Sequence, residues 1–71
     1  MKVSERYMLN EAQQGLEKAK KPLDAYSVAK ASGMLSATDA GRALEALAKL
    51  GTVKLVSGEG ENSLAWTYEL V

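Results

Sequence analysis

The 71-residue chain contains no cysteine and no histidine. Without cysteine it forms no disulfide and offers no thiolate ligand to a metal ion. Without histidine it lacks the commonest general base and the commonest metal ligand. Its carboxylates are scattered along the chain, and no nucleophile and base form a recognisable pair. We therefore expect neither an enzyme nor a protein that holds a cofactor or a metal.

Large apolar residues are scarce as well. Phenylalanine and isoleucine are absent, and alanine supplies 11 of the 33 hydrophobic residues. The remaining 22, ten of them leucine, suffice for one small core but not for a deep enclosed pocket. We predict a single domain over residues 1–71. No apolar stretch approaches the roughly 20 residues that span a bilayer, and no signal peptide is recognisable, so a cytoplasmic location is expected.

The chain also lacks a surplus of positive charge. Nine basic and nine acidic residues give a net charge of zero. Residues 1–21 carry five basic and three acidic side chains, residues 22–51 three of each, and residues 52–71 one basic and three acidic. Proteins that bind nucleic acid usually neutralise phosphates with a basic excess. The charge balance therefore argues against strong DNA binding by a single copy.

The first third of the chain has the pattern of an amphipathic helix, predicted over residues 4–21. Ser4 is suited to cap its amino terminus, because the hydroxyl accepts a hydrogen bond from an amide one turn further on. Pro22 is expected to stop it. Apolar residues recur at steps of three to four, as one buried helix face requires, at Tyr7, Met8, Ala12, Leu16 and Ala19.

Two further helices are predicted over residues 25–32 and 36–50, with a glycine corner between them. Asp24 is suited to cap the second helix, and Gly33 to end it in the left-handed conformation. Either Ser36 or Thr38 is expected to cap the third helix, and Gly51 to close it. The corner between the two helices is expected to be filled by Met34 and Leu35.

A hairpin is predicted over residues 52–71. Val53 and Leu55 alternate with polar residues, as in a strand with one buried face. The loop over residues 57–63 has no apolar side chain. A second strand is predicted beyond it, because apolar residues occupy alternate positions at Leu64, Trp66, Tyr68 and Leu70.

This order of elements resembles the winged helix-turn-helix superfamily, in particular its small bacterial and phage transcriptional regulators. The resemblance covers residues 22–71 and implies an α+β fold of three helices followed by a two-stranded wing. It departs from the family at the tip of the wing, where Glu59 and Glu61 stand in place of the usual arginine or lysine. The residues that carry it are Val28, Ala29, Gly33, Met34, Ser36, Arg42, Ala43, Leu44, Leu47, Leu50, Gly51 and Val53.

The resemblance implies that the third helix reads the major groove of double-stranded DNA, with its amino-terminal residues against the base edges. Arg42 is the strongest candidate, because a guanidinium pairs bidentately with guanine or clamps a phosphate. Alternatively, Arg42 pairs with Glu45 on a solvated helix face. The predicted DNA-binding residues are Ser36, Ala37, Thr38, Gly41, Arg42, Lys49, Lys30 and Lys54.

A two-fold dimer would double the number of base pairs that such a small DNA-binding domain contacts. Either the first helix or the exposed end of the sheet would then supply the interface. The rival hypothesis is a winged-helix module that binds protein instead of DNA, for example a phage- or plasmid-encoded accessory protein. The neutral net charge and the acidic wing favour this second reading, and fold alone does not decide function.

Overall fold

The computed structural model of the protein describes residues 4–33, 35–58 and 60–71. Three helices come first and an antiparallel hairpin follows, which confirms the predicted α+β class. Within the described part of the chain, no helix is long and apolar enough to cross a membrane. The elements are α1 (Glu5–Ala19), α2 (Ala25–Ser32), α3 (Ala37–Lys49), β1 (Val53–Ser57), a 3₁₀ turn (Ser63–Ala65) and β2 (Thr67–Leu70).

Each helix begins at a side chain that accepts a hydrogen bond from the amide three residues further on. Ser4 caps α1 at 3.2 Å, and Asp24 caps α2 at 2.7 Å. Ser36, not Thr38, caps α3, with its hydroxyl oxygen 3.1 Å from the amide of Asp39. These contacts satisfy amide groups that have no partner inside the helix, so they fix where each helix starts.

The carboxyl end of α1 differs from the prediction. The helix ends at Ala19, two residues before the predicted end at residue 21. Lys20 takes the left-handed conformation with φ of 54°, and its amide donates to the Leu16 carbonyl at 3.0 Å. The helix has therefore already closed before Pro22, and the proline restricts only the connection that follows.

The core lies where the three helices meet the hairpin. Leu16, Val28 and Leu44 are its largest fully buried side chains. Ala12 and Ala40 are also fully buried, and their small side chains let the helices approach closely. Leu35 is buried at the corner between α2 and α3, as predicted, whereas Met34 lies outside the described residues.

The sheet gains a third partner from the connection between α1 and α2. β1 and β2 pair antiparallel, with Val53 opposite Leu70 and a bulge between Leu55 and Ser57. Leu23 forms a bridge to the other side of β2, exchanging two hydrogen bonds of 2.9 Å with Tyr68. This bridge ties the start of α2 to the hairpin.

The second strand is shorter than predicted. It begins at Thr67, because Leu64 belongs to the 3₁₀ turn and Trp66 follows that turn. The side chain of Asn62 accepts from the Leu64 amide at 3.1 Å, which bends the backbone where the alternating pattern predicts a strand. Of the two aromatic residues in the predicted strand, Tyr68 is buried and Trp66 is half-buried.

The outer part of β1 is more exposed than its sequence pattern predicts. Val53 is buried, but Leu55 is 47% exposed because the core no longer covers it. At the tip of the hairpin, Glu61 is exposed, whereas Glu59 lies outside the described residues.

We expect the protein to lose stability at alkaline pH through Tyr68. Burial, together with the Glu45 carboxylate, raises the pKa of the Tyr68 phenol above its ordinary value of 10.0. An unfolded tyrosine loses its proton near pH 10, whereas the folded protein keeps Tyr68 neutral to higher pH. The associated stability is therefore present below about pH 10 and is lost as pH rises through the folded pKa.

Urea unfolding between neutral and alkaline pH measures this loss. Tyr68→Phe keeps the ring and removes the phenol, so it should flatten the alkaline decline in the free energy of unfolding. Tyr26→Phe is the matched control, since that ring is 48% exposed. An equal flattening by both variants would contradict the assignment to Tyr68.

Candidate nucleic-acid interface

One face of α3 is buried and the opposite face forms a continuous exposed ridge. Its buried residues are Ala40, Ala43, Leu44 and Leu47, which follow the helical repeat. The exposed positions in α3 are spaced four, three and four residues apart and therefore fall on one line along the helix. We call this line the α3 ridge; it consists of Thr38, Arg42, Glu45 and Lys49.

The amino-terminal end of α3 adds hydrogen-bonding groups to the ridge. Ser36 and Thr38 are exposed there, at the positive end of the helix dipole. The Ser36 oxygen accepts from Asp39, but its hydroxyl hydrogen can still be donated. Asp39 lies in the first turn and offsets part of the positive potential.

Arg42 lies beside a shallow groove of about 180 Å³ between α1 and α3. Within the described residues neither Arg42 nor Lys49 takes part in an ion pair, and the alternative pairing of Arg42 with Glu45 is not formed. The guanidinium is therefore free to bind a ligand. The groove is lined by Glu5, Met8, Leu9, Arg42, Ala43 and Ala46.

The two predicted basic residues outside α3 differ in their surroundings. Lys30 is exposed in the last turn of α2. Lys54 lies on β1, where its ammonium is 3.2 Å from the Glu69 carboxylate. The Lys54 and Glu69 side chains are 62% and 36% exposed, so their ion pair is a weak surface contact. The nearby carboxylate nonetheless offsets part of the positive potential of Lys54.

Gly41 and Ala37, two of the predicted DNA-binding residues, do not lie on the exposed face of α3. A Cβ atom built on Gly41 would lie 2.5 Å from Leu64 Cδ2 and 3.7 Å from Ala25 Cβ. The glycine therefore makes room for Leu64 of the hairpin, not for the floor of a DNA groove. Ala37 is half-buried.

Residues 60–66, which lead from the tip of the hairpin into β2, contact the helices; we call this segment the wing return. The Asn62 side-chain amide donates to the hydroxyl of Tyr26 in α2 at 3.0 Å. Within the hairpin itself, the Trp66 indole donates to the Gly60 carbonyl at 3.2 Å. Leu64 packs over Gly41 of α3. The alternating apolar pattern predicts a strand from Leu64 onward, although the asparagine two residues before Leu64 is typical of a local turn.

Among residues 4–33, 35–58 and 60–71, no three acidic side chains converge as ligands for a metal ion. Comparison of the chain with protein families, with curated proteins and with solved structures gives no match in any of the three. The topology of three helices followed by an antiparallel hairpin is consistent with a winged-helix fold.

Proposed function

We propose that this protein is a small transcriptional regulator that binds double-stranded DNA by placing α3 in the major groove. The observation that carries the proposal is the α3 ridge, an uninterrupted exposed line on the helix that winged-helix proteins use for reading DNA. Its two cations, Arg42 and Lys49, have no ion-pair partner in the described part of the chain.

The ridge and its surroundings divide into two chemical roles. Arg42 reads a guanine edge or clamps a phosphate, since its fork of donors matches both. Ser36 and Thr38 donate to a phosphate near the positive end of α3. Lys49 and Lys30 supply sequence-independent contacts to the backbone, and Lys54 does so only in competition with Glu69.

The electrostatic contribution to binding is small. The chain has no net charge, and the Glu45 carboxylate lies between the two cations of the α3 ridge, Arg42 and Lys49. Few phosphates are neutralised, so the affinity should be modest, should fall with a shallow slope as salt rises, and should depend largely on the hydrogen bonds of a few side chains.

Fluorescence anisotropy with a labelled random-sequence duplex tests the proposal at about 50 mM and about 200 mM salt, a range over which phosphate contacts are resolved. We expect binding at the lower concentration and weaker binding at the higher one. Arg42→Ala should weaken binding at least about tenfold and reduce the salt slope by about one, as the loss of a single cationic contact predicts.

Arg6→Ala is the matched control, because it removes the same charge from an exposed position on α1. It should change the affinity much less than Arg42→Ala. Equal losses in the two variants would show a nonspecific charge effect and would remove the α3 ridge from the site. Absence of binding by the unaltered protein at low salt would overturn DNA binding altogether.

A protein-binding winged helix is the second candidate. It is favoured by the mixed charge of the α3 ridge and by the wing return, which contacts α2 through Asn62 and carries the exposed Glu61. Failure to bind DNA, combined with co-purification of a stable and identified protein partner, would select this function.

A further inference from the structure

β1 is the outer strand of the sheet. In the described residues, β2 is its neighbour on one side and no strand lies on the other. The far side of β2 is already occupied by Leu23. An outer strand offers unpaired backbone groups that serve as a template for another strand.

The backbone of Leu55 points to this open side. Leu55 lies opposite Tyr68, and Tyr68 directs both its amide and its carbonyl to Leu23. In an antiparallel ladder such a pair is not hydrogen-bonded, so the amide and carbonyl of Leu55 face away from β2. The hydrogen bond from the Val71 amide to the Thr52 carbonyl fits the same alternation.

The exposed side chains at the centre of this edge are mostly apolar. Leu55 is 47% exposed and Val56 is 49% exposed. The only charged residue of β1 is Lys54, whose ammonium is paired with Glu69. An acidic segment of another protein would have to compete with Glu69 for Lys54, and a basic segment would find no carboxylate on β1, whereas a second copy meets no repulsion in a register that keeps the two Lys54 side chains apart.

We propose that β1 pairs antiparallel with β1 of a second copy of this chain, about a two-fold axis at Leu55. In this register Lys54 of each copy lies opposite Val56 of the other. A two-fold axis at Lys54 would instead place two cations directly opposite each other, which destabilises a sheet. The two Leu55 residues form a hydrogen-bonded pair at the centre of the interface.

The bulge between Leu55 and Ser57 limits how far the pairing extends. Because Leu23 occupies the far side of β2, each copy offers only the edge of β1, and pairing two such edges gives a closed two-fold dimer and not an open fibre. The dimer joins both hairpins into one four-stranded antiparallel sheet and leaves both α3 ridges outside the contact between strands. This inference does not depend on DNA binding.

Sedimentation equilibrium without DNA, from micromolar to millimolar concentration, measures the assembly. We expect a mass of about 15.2 kDa, twice the 7.6 kDa of one chain, at the upper end. Leu55→Lys should shift the mass to that of a monomer, since it places two added cations at the two-fold axis. Leu50→Lys, at a leucine that is 70% exposed and outside β1, should leave the dimer intact.

Leu55→Cys tests the same register without added charge. The chain has no other cysteine, and residues in a hydrogen-bonded antiparallel pair have Cα atoms about 5.5 Å apart, within the range that a disulfide bridges. Mild oxidation should link two chains rapidly in Leu55→Cys and much more slowly in Leu50→Cys. A monomer at all concentrations, equal cross-linking of both variants, or a dimer that persists in Leu55→Lys would overturn the inference.

Discussion

Leu44→Ala should remove most of the stability of the protein at room temperature. Leu44 is fully buried in α3 and is one of the three largest side chains that the core encloses completely. Replacing a buried leucine by alanine lowers the free energy of unfolding by about 2–5 kcal/mol, through lost apolar burial and the cavity that remains. Domains of this size rarely have more than about 3–5 kcal/mol to lose. Urea denaturation followed by circular dichroism measures the change.

Leu50→Ala provides the control for this prediction. It makes the same change of side chain at the end of the same helix, where the leucine is 70% exposed. Surface substitutions usually change stability by no more than about 0.5 kcal/mol, so this variant should unfold close to the unaltered protein. A loss in Leu44→Ala below about 1 kcal/mol would contradict the central position of Leu44 in the core.

Gly41→Val should detach the wing return from the helices. A side chain at Gly41 would occupy the position of Leu64 Cδ2, and a valine has little freedom to turn away because its rotamer in a helix is nearly fixed. Overpacking of this kind costs about 1–3 kcal/mol, which exceeds the few tenths that valine gains over glycine in helix propensity. The free energy of unfolding measured in urea should fall accordingly.

A second substitution separates this contact from a general effect on α3. In the double variant Gly41→Val with Leu64→Ala, the shorter side chain at position 64 leaves room for the valine. The combined loss in free energy of unfolding should therefore be smaller than the sum of the two single losses. A coupling of at least about 0.5 kcal/mol is expected for residues in contact. Additive losses would show that Leu64 does not rest on Gly41.

Gly15→Ala is the contrasting case in α1. A Cβ atom built there meets Ala31 and Val28 at 3.9 Å, which is an ordinary contact. The same loss of a glycine should therefore stabilise the protein by about 0.5–1 kcal/mol, since alanine favours the helix and fits the space.

The helices could be predicted because their signals are local. Asp24 and Gly33 bracket α2 at both ends, and the capping geometry depends only on residues within one turn. The periodic apolar residues of α3 likewise face the core. The same helical repeat places Thr38, Arg42 and Lys49 on the exposed face, so most of the α3 ridge could be predicted from the sequence.

The wing return and the bridge to β2 could not be predicted in the same way. Leu64 continues the alternation of β2, yet it packs on Gly41 from a 3₁₀ turn, and this contact joins residues 23 positions apart. The pairing of Leu23 with Tyr68 spans a still longer separation and has no local signature. The neutralisation of Lys54 by Glu69 also depends on strand register, which a sequence pattern alone does not fix.

The hydrogen bond from Trp66 to Gly60 gives the protein a built-in optical probe. Trp66 is the only tryptophan, and its indole lies half-buried with its N–H held by the backbone of the wing. Indole emission responds to polarity and hydrogen bonding around the ring, so fluorescence reports on the wing without any added label. Exciting the indole at wavelengths where the three tyrosines hardly absorb separates this signal from theirs.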